Sequence, residues 1–115
     1  MKYKGSCHCG NISLVAQGEL TEALSCNCSI CQKKGSLLWF LPISQVEISV
    51  DGDTLGAYQF NKHVIEHHFC KVCGIHPYAM GTDPKGSSIC AINIRCIDDL
   101  DLDTIKINHF DGRSV

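Results

Sequence analysis

Residues 70–74 read Cys70-Lys71-Val72-Cys73-Gly74. A Cys-x-x-Cys turn puts two sulfurs on one side of a tight knuckle, both within reach of a single metal ion. Glycine directly after it allows the positive φ needed where the backbone folds back under that ion. The same spacing also occurs in redox dithiols, which sit at a helix N-terminus in a βαβ setting. The flanks here are strand-like instead: Glu66-His67-His68-Phe69 before, and Ile75 to Met80 after. The knuckle therefore reads as half of a zinc site set among strands.

Two further clusters accompany it. Cys7-His8-Cys9-Gly10 lies near the start, and Cys26-Asn27-Cys28-Ser29-Ile30-Cys31 follows. A closed structural zinc needs four ligands. Cys7 and Cys9 can complete the set begun by Cys70 and Cys73 if the loop curls at His8. That closes a loop of more than sixty residues, an efficient use of metal free energy in a domain with a small core. Cys26, Cys28 and Cys31 supply three ligands from six residues. Three protein ligands with one open position is the arrangement of a catalytic zinc. A fourth ligand from Cys90, Cys96, His8, His67, His68, His76 or a carboxylate would make that site structural instead.

The chain has 115 residues and 12.6 kDa, the size of one domain, residues 1–115. It carries nine cysteines, an odd number that fits no complete disulfide set. Residues Met1 to Ser6 lack the apolar stretch of a secretory signal, and no apolar run approaches a membrane span. The expectation is a cytoplasmic protein with reduced thiols. Formal net charge is −2, which gives no electrostatic case for nucleic acid or an anionic membrane as partner. Seven ligating thiolates and two zinc ions would move that balance to about −5. Lys33 and Lys34, just after Cys31, can offset part of it.

Between the clusters the texture is short apolar runs punctuated by Gly, Asp, Asn and Pro, which predicts mostly antiparallel β structure. Strands are expected at Ile12 to Ala16, Leu37 to Leu41, Val46 to Val50, Leu55 to Phe60, Val64 to Phe69, Pro77 to Met80, Ile89 to Ile94 and Ile105 to Ile107. Leu37 to Leu41 is continuously apolar, as for a strand covered on both faces. Asp51-Gly52 is a strong hairpin signal after Val46 to Val50. Helix is expected only as short turns. One runs from a Ser29 cap through Lys34 to Gly35; Ile97 to Leu102 reads equally as another or, with its three aspartates, as a loop.

Taken together, the motifs resemble the family of glutathione-dependent formaldehyde-activating enzymes, which also includes centromere protein V. The resemblance lies in Ser6-Cys-His-Cys-Gly-Asn11, Cys26-Asn-Cys-Ser-Ile-Cys-Gln-Lys-Lys-Gly35 and His68-Phe-Cys-Lys-Val-Cys-Gly-Ile-His76. Asn93-Ile-Arg-Cys-Ile-Asp98 and Phe110-Asp-Gly112 extend it over almost the whole chain. It implies a mainly β fold, a small antiparallel β-tent stabilised by zinc. It implies two zinc ions: a structural one at Cys7, Cys9, Cys70 and Cys73, and a catalytic one at Cys26, Cys28 and Cys31. It also implies a carbon–sulfur lyase activity, interconverting S-(hydroxymethyl)glutathione with glutathione and formaldehyde, with a small-molecule thiol as the partner.

Three cysteine thiolates blunt the Lewis acidity of a zinc, so delivery of the thiol is the expected role of the open site. Proton transfer needs a partner. His67 and His68 point to opposite faces of a strand, so only one of them can face a given site. Those two and His76 read first as ordinary packed or exposed histidines. Trp39, Phe40 and Tyr58 could line a pocket, with core as the default reading. Arg95 could pair with a glutathione carboxylate but reads first as a surface salt bridge, and Cys90 and Cys96 read as small buried hydrophobes. The alternatives to the lyase are a non-catalytic zinc-stabilised binding module and a thiol redox protein.

Overall fold

The structure is a computed structural model that describes residues 1–59 and 65–112. Its strands are β1 (Lys2–Ser6), β2 (Ile12–Gln17), β3 (Glu22–Cys26), β4 (Leu38–Pro42), β5 (Val46–Val50), β6 (Leu55–Tyr58), β7 (Glu66–Cys70), β8 (Tyr78–Thr82), β9 (Ser88–Asn93) and β10 (Lys106–Phe110). One short helix, α1 (Ser29–Lys34), follows β3, and 3₁₀ turns lie at Ile43–Gln45, Ile94–Cys96 and Leu102–Thr104. The protein is mainly β. Among the described residues no helix is long and apolar enough to cross a membrane.

The strands form two sheets, one in the order β1-β2-β5 and one in the order β10-β3-β4-β9-β8-β7-β6. All pairings are antiparallel except β10 with β3, which is parallel. In the small sheet, Ile12, Leu14 and Ala16 are buried and stand opposite Val50, Ile48 and Val46 of β5. Their period of two puts all six on one face, and that face packs on the large sheet. Trp39 of β4 meets Tyr3 of β1 edge-on, with ring centroids 5.4 Å apart, and so joins the two sheets.

β4 explains its own continuous apolar run. Trp39 and Leu41 enter the core between the sheets, while Leu38 packs with Ala79, Ala91 and Cys31 on the opposite face. Both faces are covered there, as the run predicts. At Phe40 the cover stops, and its side chain is half exposed.

Two expectations need correction, and two strands are additional. Asp51-Gly52 is a turn, with Gly52 at φ 63°, but it closes no hairpin. β5 pairs with β2, and the next strand, β6, pairs with β7 in the other sheet. The amide of Asp51 is still held by the Asn11 carbonyl at 2.8 Å, whereas the Thr54 carbonyl already accepts from Lys71. The chain crosses between sheets at this turn because the alternating apolar face of β5 completes the free edge of β2. Of the two readings of Ile97 to Leu102 the loop holds, with 3₁₀ turns beside it at Ile94–Cys96 and Leu102–Thr104. Cys28, not Ser29, occupies the N-cap of α1, in extended backbone and without a side-chain cap bond. β1 and β3 were not expected as strands at all. The predicted strand pair around Asn61-Lys62 is confirmed for Leu55–Tyr58 and Glu66–Cys70. Its segment from Phe60 to Val64 lies outside the described residues.

Candidate metal centres

The first centre joins two knuckles built on one backbone plan. At one, the Cys7 amide donates to the Ile12 carbonyl at 2.9 Å and the Gly10 amide to the Cys7 carbonyl at 3.3 Å. At the other, the Cys70 amide donates to the Ile75 carbonyl at 2.9 Å and the Gly74 amide to the Cys70 carbonyl at 2.8 Å. Gly10 and Gly74 both take positive φ, 86° and 80°, where a side chain would be strained. The two knuckles bring Cys7, Cys9, Cys70 and Cys73 together with all four sulfurs within 4.8 Å of one another.

Sulfurs around a tetrahedral zinc stand about 3.8 Å apart, given Zn–S distances of about 2.3 Å. The Cys7–Cys9 and Cys9–Cys70 separations of 3.7 and 3.5 Å match that. The donor set therefore fits a closed four-sulfur site. Ile12 donates its amide to Cys7 Sγ at 3.3 Å, and Val72 donates to Cys70 Sγ at 3.4 Å. Such donors offset the excess negative charge of four thiolates. Burial raises the Cys73 thiol, but the amides of Ile75 and Cys9 and the neighbouring thiols outweigh it and bring it down to about 6. No helix follows Cys70, so the setting of a redox dithiol is missing there.

The second centre gathers Cys26 from the end of β3, Cys28 from the cap of α1 and Cys31 from its first turn. Their sulfurs lie within 4.8 Å of one another. Among the described residues no fourth ligand joins them: Cys90, Cys96 and His8, His67, His68 and His76 all stand outside the group. Cys28 donates its amide to Cys26 Sγ at 3.4 Å. Its sulfur belongs to the cluster and sits at the N-terminus of α1. Gly35 ends the helix at φ 69°, with its amide on the Cys31 carbonyl at 3.0 Å. Burial pushes the Cys31 thiol up to about 12, helped by Cys28. Burial also opposes Cys28, but hydrogen bonds from the Cys31 and Ile30 amides and from the neighbouring thiols bring that thiol below its usual value.

The C-terminal segment covers one side of this centre. β10 runs parallel to β3 with Phe110 opposite Cys26. The Asn27 amide donates to the Phe110 carbonyl at 3.2 Å, and Asn27 Nδ2 to Asp111 Oδ1 at 3.1 Å. Gly112 then lies against the sulfur of Cys26.

On its other side the three-cysteine centre opens on a groove of about 590 Å³ across the face of the large sheet. Lys34 and His67 share its wall, with Lys34 Nζ 3.3 Å from His67 Nδ1. Burial, aided by the Lys34 charge, pushes His67 down to about 4. Lys34 is lowered by burial too, against the opposing pull of Cys31 and Cys28. Lys34 and Ile30 also line an adjoining hollow on the other flank of α1, where Lys33 joins them. His68, on the opposite face of β7, stacks on Tyr78 at 4.8 Å. Histidine alternation limited the choice to one of the pair; only the order of strands reveals that it is His67. Trp39 takes the core reading and Phe40 the pocket one, lining the groove, while Tyr58 is exposed away from it. Cys90 is fully buried and Cys96 half-buried, both thiols raised by burial.

A model of the glutathione-dependent formaldehyde-activating enzyme family matches residues 2–110. The crystal structure of a Rhodobacter sphaeroides protein superposes with a TM-score of 0.75 at 24% sequence identity, covering 91% of this chain and 99% of that one. That likeness shows a shared fold.

Proposed function

Because the chain belongs to the family of glutathione-dependent formaldehyde-activating enzymes, we propose that it is a zinc-dependent carbon–sulfur lyase for thiol–aldehyde adducts such as S-(hydroxymethyl)glutathione. Residues 1–115 act as one zinc-binding unit in a reducing, cytoplasmic setting. Cys7, Cys9, Cys70 and Cys73 hold the structural zinc. Cys26, Cys28 and Cys31 hold the catalytic one. The observation that carries the reading is the contrast between the two centres: four sulfurs close on one another, while three open on a groove.

Zinc at the three-cysteine centre supplies a position where a thiol is held as thiolate at neutral pH. The chain's own residues do the rest. Cleavage of the adduct breaks the carbon–sulfur bond, forms the carbonyl and releases the hydroxyl proton. Lys34 Nζ and the His67 ring carry the ionisable nitrogens of the groove wall among the described residues. They share a hydrogen bond, and we assign the proton to that pair. Gly112 and the Phe110 backbone shield the sulfurs on the far side and direct the reactants to the groove.

Elemental analysis of protein purified without added metal should give two zinc ions per chain. Exchange NMR of formaldehyde with glutathione should show faster adduct interconversion with the wild type than with Cys28→Ser. One zinc per chain, or no acceleration by the wild type, would overturn the lyase and leave a zinc-stabilised binding module.

A further inference from the structure

We infer that the groove beside Cys26, Cys28 and Cys31 takes an apolar chain or ring carried on the aldehyde carbon of the substrate. The inference rests on the lyase reading and names its substrate class. Formaldehyde carries only hydrogens at that carbon and would leave the groove empty. At about 590 Å³ the groove is within the usual size of a small-molecule site, about 300–1,000 Å³.

Its walls are mostly apolar. Leu24 and Leu38 line it nearest the cysteines, Met80 and Ile89 line it further along, and Phe40 and Phe110 stand about half exposed on it. Large aromatic side chains left in water on a concave surface mark a place for an apolar partner. The polar exceptions are few. Lys34 and His67 are engaged with each other beside the cysteines. Asp83 accepts the amides of Lys85 and Ser87, both at 2.9 Å, and so is tied to its own turn.

The tripeptide does not suit this groove. Glutathione carries two carboxylates and an ammonium, and burying them without partners is costly. Among the described residues Lys34 is the one lysine or arginine on the groove. Lys33, with Ser36 and His76, faces an adjoining hollow across α1, which Lys34 and Ile30 also line and whose lining includes none of the three cysteines. The thiol's polar body therefore stays toward solvent, and the groove serves the aldehyde half. In the reaction the thiol S–H bond breaks, a carbon–sulfur bond forms at the substituted carbonyl carbon, and the proton ends on the carbonyl oxygen.

The chain has two methionines, which makes the test direct. Met80 lines the groove and Met1 is exposed elsewhere. Zinc-loaded protein labelled with [methyl-¹³C]methionine is titrated with straight-chain alcohols from methanol to 1-hexanol, which carry neither sulfur nor carbonyl. The Met80 methyl should shift while Met1 stays, with affinity rising about fourfold per methylene. Phe40→Asp, at a half-exposed position, should weaken hexanol binding at least tenfold with the amide spectrum otherwise unchanged. An unmoved Met80, equal response to methanol and hexanol, or an unaffected Phe40→Asp would overturn the inference. So would a Met80 shift that depends on protein concentration without probe, which would assign the groove to a second copy of the chain. Hexanol binding without any adduct turnover would retain the groove and remove the lyase. Turnover of the formaldehyde adduct without hexanol binding would do the reverse.

Discussion

Gly112 stands so close to Cys26 that a Cβ at residue 112 would lie 2.6 Å from Cys26 Sγ and 3.0 Å from Cys28 Cβ. Neither neighbour is the far end of a flexible chain, since both belong to the three-cysteine centre. The glycine is thus required by close approach rather than by turn geometry. Gly112→Ala should push the C-terminal segment off the cysteines and weaken metal binding there about 10-fold to 100-fold, the usual scale for groups supporting a metal ligand. Competition with a chelating dye should resolve that weaker site from an unchanged four-sulfur site. Equal affinity at both sites before and after substitution would show that the segment does not support the centre.

The two centres should also fail differently. Cys70 is fully buried where β7 meets β6 and shares its centre with Cys7, sixty-three positions earlier in the chain. A structural zinc contributes about 10–16 kcal/mol of apparent binding energy, comparable with or above the whole stability of a small domain. Cys70→Ser should therefore abolish the cooperative thermal transition seen by circular dichroism. Cys28→Ser should keep the transition and lose one zinc of two. Equal loss of structure in both variants would make the second centre structural.

What could be read from the residues follows from how local each signal is. The cysteine clusters are legible because Cys7 and Cys9, Cys26 to Cys31, and Cys70 and Cys73 are each set by a single turn of chain. Strands with an apolar period, such as Ile12 to Ala16, are legible for the same reason. β1 is not, because Lys2-Tyr3-Lys4-Gly5-Ser6 is a polar edge strand held by β2 and by the turn at Cys96. β3 gains its strand form from partners far away, β4 and β10. The Asp51-Gly52 signal correctly marks a turn, but a turn does not state which strands pair. The groove was illegible altogether, since Phe40, Met80 and Phe110 meet only through the order of the large sheet.

His67 gives a pH signature. Its folded value is about 4, below the ordinary 6.5, so the folded protein keeps it neutral while the unfolded chain takes up a proton between those values. The unfolded state then binds more protons, and stability falls as pH drops through this window, by up to about 1.4 kcal/mol per pH unit. The thiolates of both centres lose stability with acid as well, so the measurement must be a difference. Urea unfolding of wild type and His67→Gln at pH 7 and pH 5 should show the wild type losing more. Parallel losses in the two proteins would mean that His67 protonates as readily in the fold as in the chain.

Gly5 of β1 bridges to Ile97, and the Asp98 amide donates to the Lys4 carbonyl at 2.8 Å. A Cβ at residue 5 would lie 2.7 Å from the Cys96 carbonyl oxygen, a backbone atom that cannot rotate away. β1 would have to lift from the turn, and its neighbour Tyr3 would lose its seat on Trp39. Overpacking of this kind costs about 1–3 kcal/mol. Gly5→Ala should lower the urea midpoint accordingly and raise hydrogen exchange at the Asp98 amide. Both zinc ions should remain, because the Cys7 and Cys70 knuckles are closed by their own backbone bonds. An unchanged midpoint with the same exchange at Asp98 would show that β1 accommodates the methyl group without moving.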